Sequence, residues 1–251
     1  MEYRDMLGLA VNAALAAGRF LGGRQGVAVV SADGRDIKLS SDKASERIII
    51  DALAPSGIPI LSEERGMIGG GAGLCWVVDP LDGSMNYYKG LDDLACVSIA
   101  LCDDGVPVLG AVNRFARGEL FTGVTGGRAE LNGVPIKPSN TAVTGQAVLA
   151  TGFPLNRDYS SVALASFVKQ AQRFKKIRML GAASLMAAFV ACGRVDAYME
   201  EGIMLWDVAA AAAIVRAAGG EVELQERADH VCVCRCFSTR GLMEDFDAES
   251  V

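Results

Sequence analysis

Two stretches near the start of the chain have apolar residues at helical spacing. Over residues 2–22 ("EYRDMLGLAVNAALAAGRFLG") apolar side chains return every three or four positions, and the run ends at Gly22-Gly23. A second amphipathic stretch, "KASERIIIDAL", follows Ser41 and Asp42, which are residue types that commonly cap helices. The pattern predicts one helix over 2–22 and another that begins near Ser41-Asp42. Taken locally, Asp42 is explained as a helix cap.

Farther along the chain, the pattern changes from helical spacing to alternation. From residue 94 to residue 136 apolar and polar positions alternate between short turns, which predicts antiparallel strands. After a break at Pro138-Ser139-Asn140, strand-like runs alternate with helical stretches along the chain. The expected strands there are 147–151, 195–199, 221–224 and 231–237, and the expected helices are 158–173, 183–192 and 207–218. We therefore expect two halves, residues 1–140 and 141–251, each with its own sheet. The alanine run at 209–213 is interpreted as ordinary helix.

Composition limits the function classes that fit these elements. The chain has 251 residues, with 24 Lys and Arg against 30 Asp and Glu, a net charge of -6 and a pI of about 4.9. This balance predicts no basic face for nucleic acid, and an acidic protein that binds an anion would need a metal. Its apolar runs are too short to cross a bilayer, no signal segment opens the chain and the seven cysteines are scattered. A soluble protein of the reducing cytoplasm is expected.

The chain contains one histidine, His230, in the strand-like run "HVCVCRCF". A serine-hydrolase triad or a phosphohistidine mechanism would have to use this residue, and a core or strand-end position explains it better. Histidine chemistry is thereby nearly excluded, so the candidate catalytic groups are carboxylates.

Two carboxylates follow a long apolar run in "CWVVDPLDGSMNYYKG". Asp79 and Asp82 stand three positions apart across a proline, and the Leu81 carbonyl lies between them. Oxygen donors without sulfur or imidazole favour a hard cation such as Mg²⁺. Gly83 lets the backbone approach an anion, and the N–H groups of Gly83 and Ser84 would face a phosphate if a helix begins there. On its own, D-x-x-D-G also fits a solvated turn.

A longer match favours the metal interpretation. The run Asp79–Tyr87 resembles the D-P-[LI]-D-G-[TS]-x-N-[FY] signature of the inositol monophosphatase family of metal-dependent sugar phosphatases. The segment "LSEE" at 61–64 resembles the family's G-E-E segment, and "LWDVAAAAAIVRAAGG" at 205–220 resembles its W-D-x-A-A-G helix. The segment "KLSSD" at 38–42 is similar to the part that carries its T-D pair. Residues from about 120 to the 170s are the least diagnostic.

The resemblance implies a fold, a cofactor and an assembly. The fold is a layered α/β/α/β/α sandwich, the cofactor is two or three Mg²⁺ ions per active site, and the assembly is a homodimer. The implied metal ligands are Glu63, Asp79, the Leu81 carbonyl, Asp82 and Asp207, with the Ser84 hydroxyl in addition. Such carboxylates would repel one another unless cations neutralise them. For Asp207 alone, a first-turn acid favoured by the helix dipole is the local alternative, and Glu64 is interpreted as an exposed neighbour of Glu63.

The implied reaction is in-line attack of water on a phosphate monoester without a covalent intermediate. Glu63 would orient or deprotonate the water with help from Ser84, whose hydroxyl would be held by Asp42. Substrate contacts are expected from Asp82, Gly83, Ser84, Gly181, Ala183, Glu200 and Asp207. Glu201 competes with Glu200 by register. At residue 182, alanine stands where some relatives have a hydroxyl residue.

The substrate stays open within one chemical class, the small phosphorylated polyols and sugars. Inositol 1-phosphate is the first expectation; fructose 1,6-bisphosphate and histidinol phosphate are alternatives, and an inactive metal-binding scaffold is the non-enzyme alternative. The basic run from Arg173 to Arg178 is either a second phosphate site or a solvated or dimer-facing run. Cys232, Cys234 and Cys236 would share one strand face, with soft-metal binding as the less favoured interpretation.

Overall fold

The computed structural model describes residues 3–24, 27–33 and 36–248. Its first helix, α1 (Tyr3–Gly22), confirms the expected amphipathic helix over its described part, while residue 2 lies outside the described residues. The buried side of α1 has Met6 and Leu21 toward its ends and small residues between them, among them Ala10, Ala13 and Ala17, which are fully buried. Small side chains let the helix axis approach the neighbouring strands closely.

An antiparallel hairpin precedes the second helix. Strands β1 (Val29–Asp33) and β2 (Asp36–Leu39) pair with each other, and α2 (Ser40–Leu53) begins directly after β2. The helix begins at Ser40, close to the expected Ser41-Asp42. The sequence pattern did not predict the hairpin, whose strands are short and carry a bulge between Val29 and Ser31.

Eight strands form the larger sheet, in the order β10-β9-β8-β7-β6-β5-β3-β4. Their bounds are β3 Ile60–Ser62, β4 Gly66–Ile68, β5 Leu74–Asp82, β6 Cys96–Asp103, β7 Val106–Arg114, β8 Glu119–Val124, β9 Ala129–Leu131 and β10 Val134–Pro135. All neighbours are antiparallel except β3 and β5, which run parallel, so the antiparallel interpretation of residues 94–136 is confirmed. The short helix α3 (Ser84–Tyr88) follows β5.

The second half of the chain builds a five-stranded sheet in the order β12-β11-β13-β15-β14. Its strands are β11 Val148–Thr151, β12 Lys176–Arg178, β13 Ala197–Met204, β14 Glu221–Glu226 and β15 Val231–Phe237, and its helices are α4 Ser161–Ala171, α5 Ala183–Ala191, α6 Leu205–Ala218 and α7 Arg240–Ala248. The four expected strands and three expected helices are all present; the strand at 231–237 has the expected bounds, and the others have shifted ends. Strand β12 was missed because a run of three residues gives little periodic signal. Helix α7 was also missed, although its buried residues Leu242 and Phe246 stand at helical spacing.

The elements stack in five layers. Helices α1 and α2 cover one face of the larger sheet, and α5 and α6 lie between its other face and the smaller sheet. Helices α4 and α7 cover the outer face of the smaller sheet around Phe174, Phe237 and Phe246. The expected α/β/α/β/α sandwich is confirmed. Helix α6 is buried on all sides in its middle, so the alanine run at 209–213 is a central packing element and more than ordinary helix.

A glycine fixes how closely α6 approaches the larger sheet. A Cβ atom added at Gly110 on β7 would come within 2.0 Å of the Ala210 carbonyl oxygen. Backbone therefore packs directly against backbone at this crossing, which no larger residue would permit. Because Asp207 lies in the first turn of α6, this contact also sets where the Asp207 carboxylate lies relative to β5.

The cysteines, the basic run from Arg173 to Arg178 and the apolar segments can be compared with the expectations from the sequence. Cys232, Cys234 and Cys236 share one buried face as expected, and all seven cysteines are free thiols. The Arg173 side chain donates to the carbonyls of Asp245 and Phe246 in α7, so this member of the basic run is a structural contact, whereas residues 175, 176 and 178 are exposed. No helix in the described part of the chain is both long and apolar enough to cross a bilayer.

Candidate active site

A pocket of about 410 Å³ opens where β5, α3 and α6 meet. Its walls come from the end of β2, the turn after β3, the end of β5, the start of α3, residues 154–156, the turn at Gly181 and the segment from Gly202 to Asp207. We call it the carboxylate pocket, because Glu63, Asp79, Asp82 and Asp207 all line it. The chain thus brings together four of the acids that the sequence singled out.

Strand β5 delivers two of these acids to the pocket. The register with β6 shifts between Asp79 and Asp82, so the chain bulges across Pro80. Asp79 is 1% exposed, and its Oδ1 accepts the N–H of Leu81 at 2.9 Å. The Leu81 carbonyl accepts the Ser84 hydroxyl at 2.9 Å. The bulge turns the two carboxylates and the intervening carbonyl toward one region.

Helix α5 holds the Asp82 carboxylate from behind. Its Oδ1 accepts the N–H of Ala183 at 3.1 Å, and its Oδ2 accepts the N–H of Ser184 at 2.8 Å. The Cys96 thiol donates to the same Oδ2 at 3.4 Å. These bonds fix the orientation of Asp82. They also engage the Ala183 N–H, so Ala183 lies behind Asp82 and not in the wall of the pocket.

Glu63 and Asp207 face β5 from two other elements. Glu63 follows β3, and its N–H donates to the Val78 carbonyl at 3.2 Å. Asp207 lies in the first turn of α6, where its Oδ2 accepts the N–H of Met204 at 3.3 Å. Asp207 therefore caps the start of α6 and also lines the pocket. Its interpretation as a first-turn helix acid and its interpretation as a pocket residue are compatible.

Burial and mutual repulsion raise the pKa values of these acids. Burial, and then the Asp207 carboxylate, raise the pKa of Glu63 to about 8. Burial and then the Glu63 carboxylate raise the pKa of Asp79 well above its usual value. The pKa of Asp82 rises to about 7, mainly through burial and against the hydrogen bonds that it accepts. Such a cluster is costly as anions and needs positive charge nearby.

Asp42 and Ser84 meet at the edge of the pocket. The Ser84 hydroxyl lies 3.4 Å from the Asp42 Oδ1, and the other Asp42 oxygen accepts the Leu39 N–H at 2.6 Å. Burial raises the pKa of Asp42 to about 7. Asp42 therefore caps α2 and contacts Ser84 at the same time, which joins its two interpretations from the sequence.

The turn after β5 depends on a glycine and an asparagine. Gly83 has a φ of +87°, and an added Cβ would come within 2.6 Å of the Leu94 carbonyl, so a side chain is excluded there. Asn86 donates to the carbonyls of Leu94 and Leu180 at 2.8 and 2.7 Å, which ties α3 to the turn that contains Gly181. Asn86 was missed as a structural residue of the site, although it belongs to the signature.

Glu200 lies beside the carboxylate pocket on β13. Its side chain is nearly buried and, with Glu201 and Arg157, borders a separate small cavity. Burial and the charges of Asp207 and Asp82 raise its pKa to about 8. Glu201 is exposed. Of the two competing residues, Glu200 is thus the one whose charge acts on the pocket.

Residues that the sequence did not single out also line the pocket, namely Lys38, Asn156, Met204 and Trp206. Glu64 was expected to be exposed, and this is wrong, because its side chain is only 4% exposed and pairs with Lys38. The indole of Trp206 is half-buried in the pocket wall. Lys38 and Glu64 lie far apart in the sequence, so only the fold brings them together.

The donor chemistry of the pocket fits magnesium. Carboxylate, carbonyl and hydroxyl oxygens are the ligands that Mg²⁺ selects, and the raised pKa values mark a need for cations. Among residues 3–24, 27–33 and 36–248, no three His, Cys, Asp or Glu side chains form a ready-made metal group as they stand.

Comparison with known proteins identifies the family. The model of the inositol monophosphatase family matches residues 2–232. The chain belongs to the inositol monophosphatase family. An inositol-1-monophosphatase from Synechocystis is 36% identical over 234 residues, which cover 88% of this chain and 79% of that protein. The Nus factor SuhB from Xylella fastidiosa is 39% identical over 197 residues, covering 77% and 71%.

Solved structures agree with this assignment. The structure of inositol monophosphatase from Anabaena (Nostoc) superposes with a TM-score of 0.85 at 32% identity and covers 100% of this chain and 96% of that one. As a member of the inositol monophosphatase family, the chain is a phosphoric monoester hydrolase. The resemblance that the sequence suggested is therefore confirmed for the family, the fold and the reaction class.

Proposed function

We propose that this chain is a magnesium-dependent phosphatase of a small phosphorylated polyol, with inositol 1-phosphate as the preferred substrate. The observation that carries the proposal is the carboxylate pocket, in which buried and half-buried acids with raised pKa values face one open volume. The family of the chain and the name of its Synechocystis relative support the substrate. A homodimer is proposed from the same family likeness.

Two or three Mg²⁺ ions would be held by oxygen ligands, namely Glu63, Asp79, the Leu81 carbonyl, Asp82 and Asp207. Bound there, magnesium would neutralise the acids, stabilise negative charge on the phosphoryl group and make water more acidic. The hydrogen bonds that Asp82 accepts from α5 support its assignment, because they hold its carboxylate in one orientation before any ligand arrives.

The remaining steps would be carried out by the protein's own side chains and backbone. Glu63 would orient the attacking water and accept its proton. Ser84 would position that water through its hydroxyl, which lies between Asp42 and the Leu81 carbonyl. The N–H groups of Gly83 and Ser84 would face the phosphate.

On the alcohol side of the substrate, Gly181 lines the carboxylate pocket, and Glu200 borders the separate small cavity while its carboxyl group feels the charges of Asp207 and Asp82. We propose that both face the hydroxyl groups of the polyol. Ala183 would act indirectly, by holding Asp82 through its N–H.

A panel of phosphate monoesters tests the proposal. Phosphate release from inositol 1-phosphate, fructose 1,6-bisphosphate and histidinol phosphate would be measured with Mg²⁺ and compared as kcat/KM. We expect inositol 1-phosphate to rank first. A higher value for either of the others would move the substrate assignment to it, and no release from any monoester would favour an inactive metal-binding scaffold.

A second role is suggested by the relative from Xylella fastidiosa, which is named a Nus factor at 39% identity. The two roles are separable with Asp82→Asn. Both proteins would be expressed in cells that lack a related Nus factor. If the variant releases no phosphate but restores growth of these cells as well as the wild type does, the chain has a Nus-factor role independent of hydrolysis. If neither protein replaces it, the Nus-factor role is excluded.

A further inference from the structure

The carboxyl group of Glu200 lies directly against the backbone that follows β11. Its side chain is only 5% exposed, and a Cβ added at Gly152 would come within 2.7 Å of the Glu200 Oε1. A larger residue at 152 would therefore displace the carboxyl group. A nearly buried carboxylate is costly as an anion unless a positive charge compensates it.

Arg157 borders the same small cavity as Glu200. The cavity has a volume of about 20 Å³, which is room for one water. The guanidinium of Arg157 lies over the ring of Phe167 in α4, with 4.4 Å between its Cζ and the ring centre, and 5.8 Å from the ring centre of Phe153. Its Nε is buried and has no hydrogen-bond partner within the described ranges. The rings thus hold the guanidinium in place and leave one of its donors unused.

The segment that carries Arg157 packs tightly against β13, the strand of Glu200. A Cβ added at Gly202 would come within 2.4 Å of the Asn156 carbonyl carbon and 2.6 Å of the Arg157 nitrogen. Residues 154–156 of the same segment line the carboxylate pocket. The close contacts at Gly152 and Gly202 therefore fix Arg157, Glu200 and this wall of the pocket relative to one another.

The second arginine at the small cavity is engaged elsewhere. Arg235 on β15 pairs with Glu223 at 3.5 Å and with Asp247 at 3.9 Å. Arg157 is thus the cation that remains for Glu200 among the described residues that border this cavity. Burial, and then the charges of nearby acids, raise the pKa of Glu200, and the charge of Arg157 opposes them. The two side chains therefore interact across the cavity.

We propose that Arg157 holds the Glu200 carboxylate in position at the carboxylate pocket, so that Glu200 selects phosphate esters whose alcohol carries further hydroxyl groups. The inference rests on the proposed function, because it takes Glu200 as a residue that faces the hydroxyls of the polyol. A carboxylate accepts hydrogen bonds from such hydroxyls, and an ester without them leaves it unpaired. Arg157 is a positioning residue in this scheme, since it acts on the substrate through Glu200.

Two esters with the same ring separate this role from a structural one. Inositol 1-phosphate carries hydroxyl groups around the ring, and cyclohexyl phosphate has the ring without them. The readout is the preference ratio, which is kcat/KM for inositol 1-phosphate divided by kcat/KM for cyclohexyl phosphate, both measured with Mg²⁺. General damage to the fold or the pocket would lower both values and leave the preference ratio unchanged.

The preference ratio would be measured for wild type, Arg157→Gln, Glu200→Gln and the double variant. We expect Glu200→Gln to lower it about tenfold, the size of effect for a lost hydrogen bond to a charged group. Arg157→Gln should lower it about three- to tenfold, with kcat for cyclohexyl phosphate near that of wild type. The double variant should match Glu200→Gln, because Arg157 acts through Glu200. Arg47→Gln is the matched control, since the Arg47 side chain is 77% exposed and should leave the ratio unchanged.

An unchanged preference ratio in Arg157→Gln, or a double variant with a lower ratio than Glu200→Gln, overturns the inference. If Arg157→Gln fails to fold, Arg157→Lys carries the test, because it keeps the charge and should stay within about threefold of wild type. A ratio for Arg157→Lys as low as that of Glu200→Gln would then overturn the inference. Absence of phosphate release from both esters by wild type, or no preference for inositol 1-phosphate, overturns the proposed function instead.

Discussion

At the scale of single residues, Asp82 gives the sharpest test of the metal assignment. Asp82→Asn keeps the size of the side chain and removes a charge that we assign to cation binding. We expect kcat/KM to fall by far more than tenfold. Activity within about tenfold of wild type, ~1.4 kcal/mol of barrier, would remove Asp82 from the ligand set.

Ser84 allows a test in which only a hydroxyl changes. Ser84→Ala removes the group that contacts the Leu81 carbonyl and Asp42, and Ser84→Thr keeps it. We expect alanine to lower kcat by about 10² to 10⁴, the range for loss of a proton-transfer component, and threonine to stay near wild type. Steady-state kinetics of both variants would check this. Equal rates in the two would exclude the hydroxyl from the reaction.

These acids could be located from the sequence because three of the proposed ligand positions, Asp79, Leu81 and Asp82, fall within four residues of the signature at the end of β5. Residues so close in the chain are also close in space. Lys38 and Asn86 could not be recognised in this way. Their contacts, to Glu64 and Leu180, span 26 and 94 residues. Such contacts depend on the fold, and no local pattern encodes them.

At the scale of elements, the crossing of α6 over β7 is a strict packing constraint. In Gly110→Ala the new methyl group would collide with the Ala210 carbonyl, so we expect a loss of about 1–3 kcal/mol in the free energy of unfolding. Gly8→Ala on the exposed side of α1, where a Cβ meets nothing within 4 Å, should instead stabilise by about 0.5–1 kcal/mol. Urea unfolding measures both. A Gly110→Ala variant as stable as wild type would show that α6 shifts freely.

Helix α6 also shows what periodicity contains and what it leaves out. The sequence pattern predicted that α6 is a helix, but the interpretation of residues 209–213 as ordinary helix missed its central position. A helix that is apolar on all sides is typically buried on every side, so the alanine run did contain this information. Strand β13 was expected to end at 199 and continues to Met204. Its extension carries Glu200 and Glu201, whose consecutive charges break the alternation that marks a strand.

For the whole molecule, the buried acids predict an unusual dependence of stability on pH. The folded-state pKa values of Glu63 and Glu200 are about 8 and those of Asp42 and Asp82 about 7, all above the ordinary values of 4.5 for Glu and 3.8 for Asp. At pH values between the unfolded-state and folded-state pKa values, the folded protein binds more protons than the unfolded chain. The free energy of unfolding therefore falls as pH rises. We expect the melting temperature of the metal-free protein to drop between about pH 5 and pH 8.

Magnesium should reverse this loss, because a ligand of the folded state alone stabilises it by mass action. The measurement is a thermal melt across pH with a chelator and again with excess Mg²⁺, and the gain from Mg²⁺ should grow as pH rises. A metal-free melting temperature that is flat or rises over this range would contradict the raised pKa values.

The central claim, that oxygen-bound magnesium drives phosphate release, is tested most directly by one titration. Phosphate release from inositol 1-phosphate would be followed against Mg²⁺, and again with Ca²⁺, with Li⁺ and with a chelator followed by Zn²⁺. We expect Mg²⁺ to activate, the chelator to abolish activity, and Ca²⁺ and Li⁺ to inhibit, with the Ca²⁺ inhibition relieved by excess Mg²⁺. Full activity in chelator, or activity restored by Zn²⁺ alone, would contradict the account and direct the search for a metal to Cys232, Cys234 and Cys236.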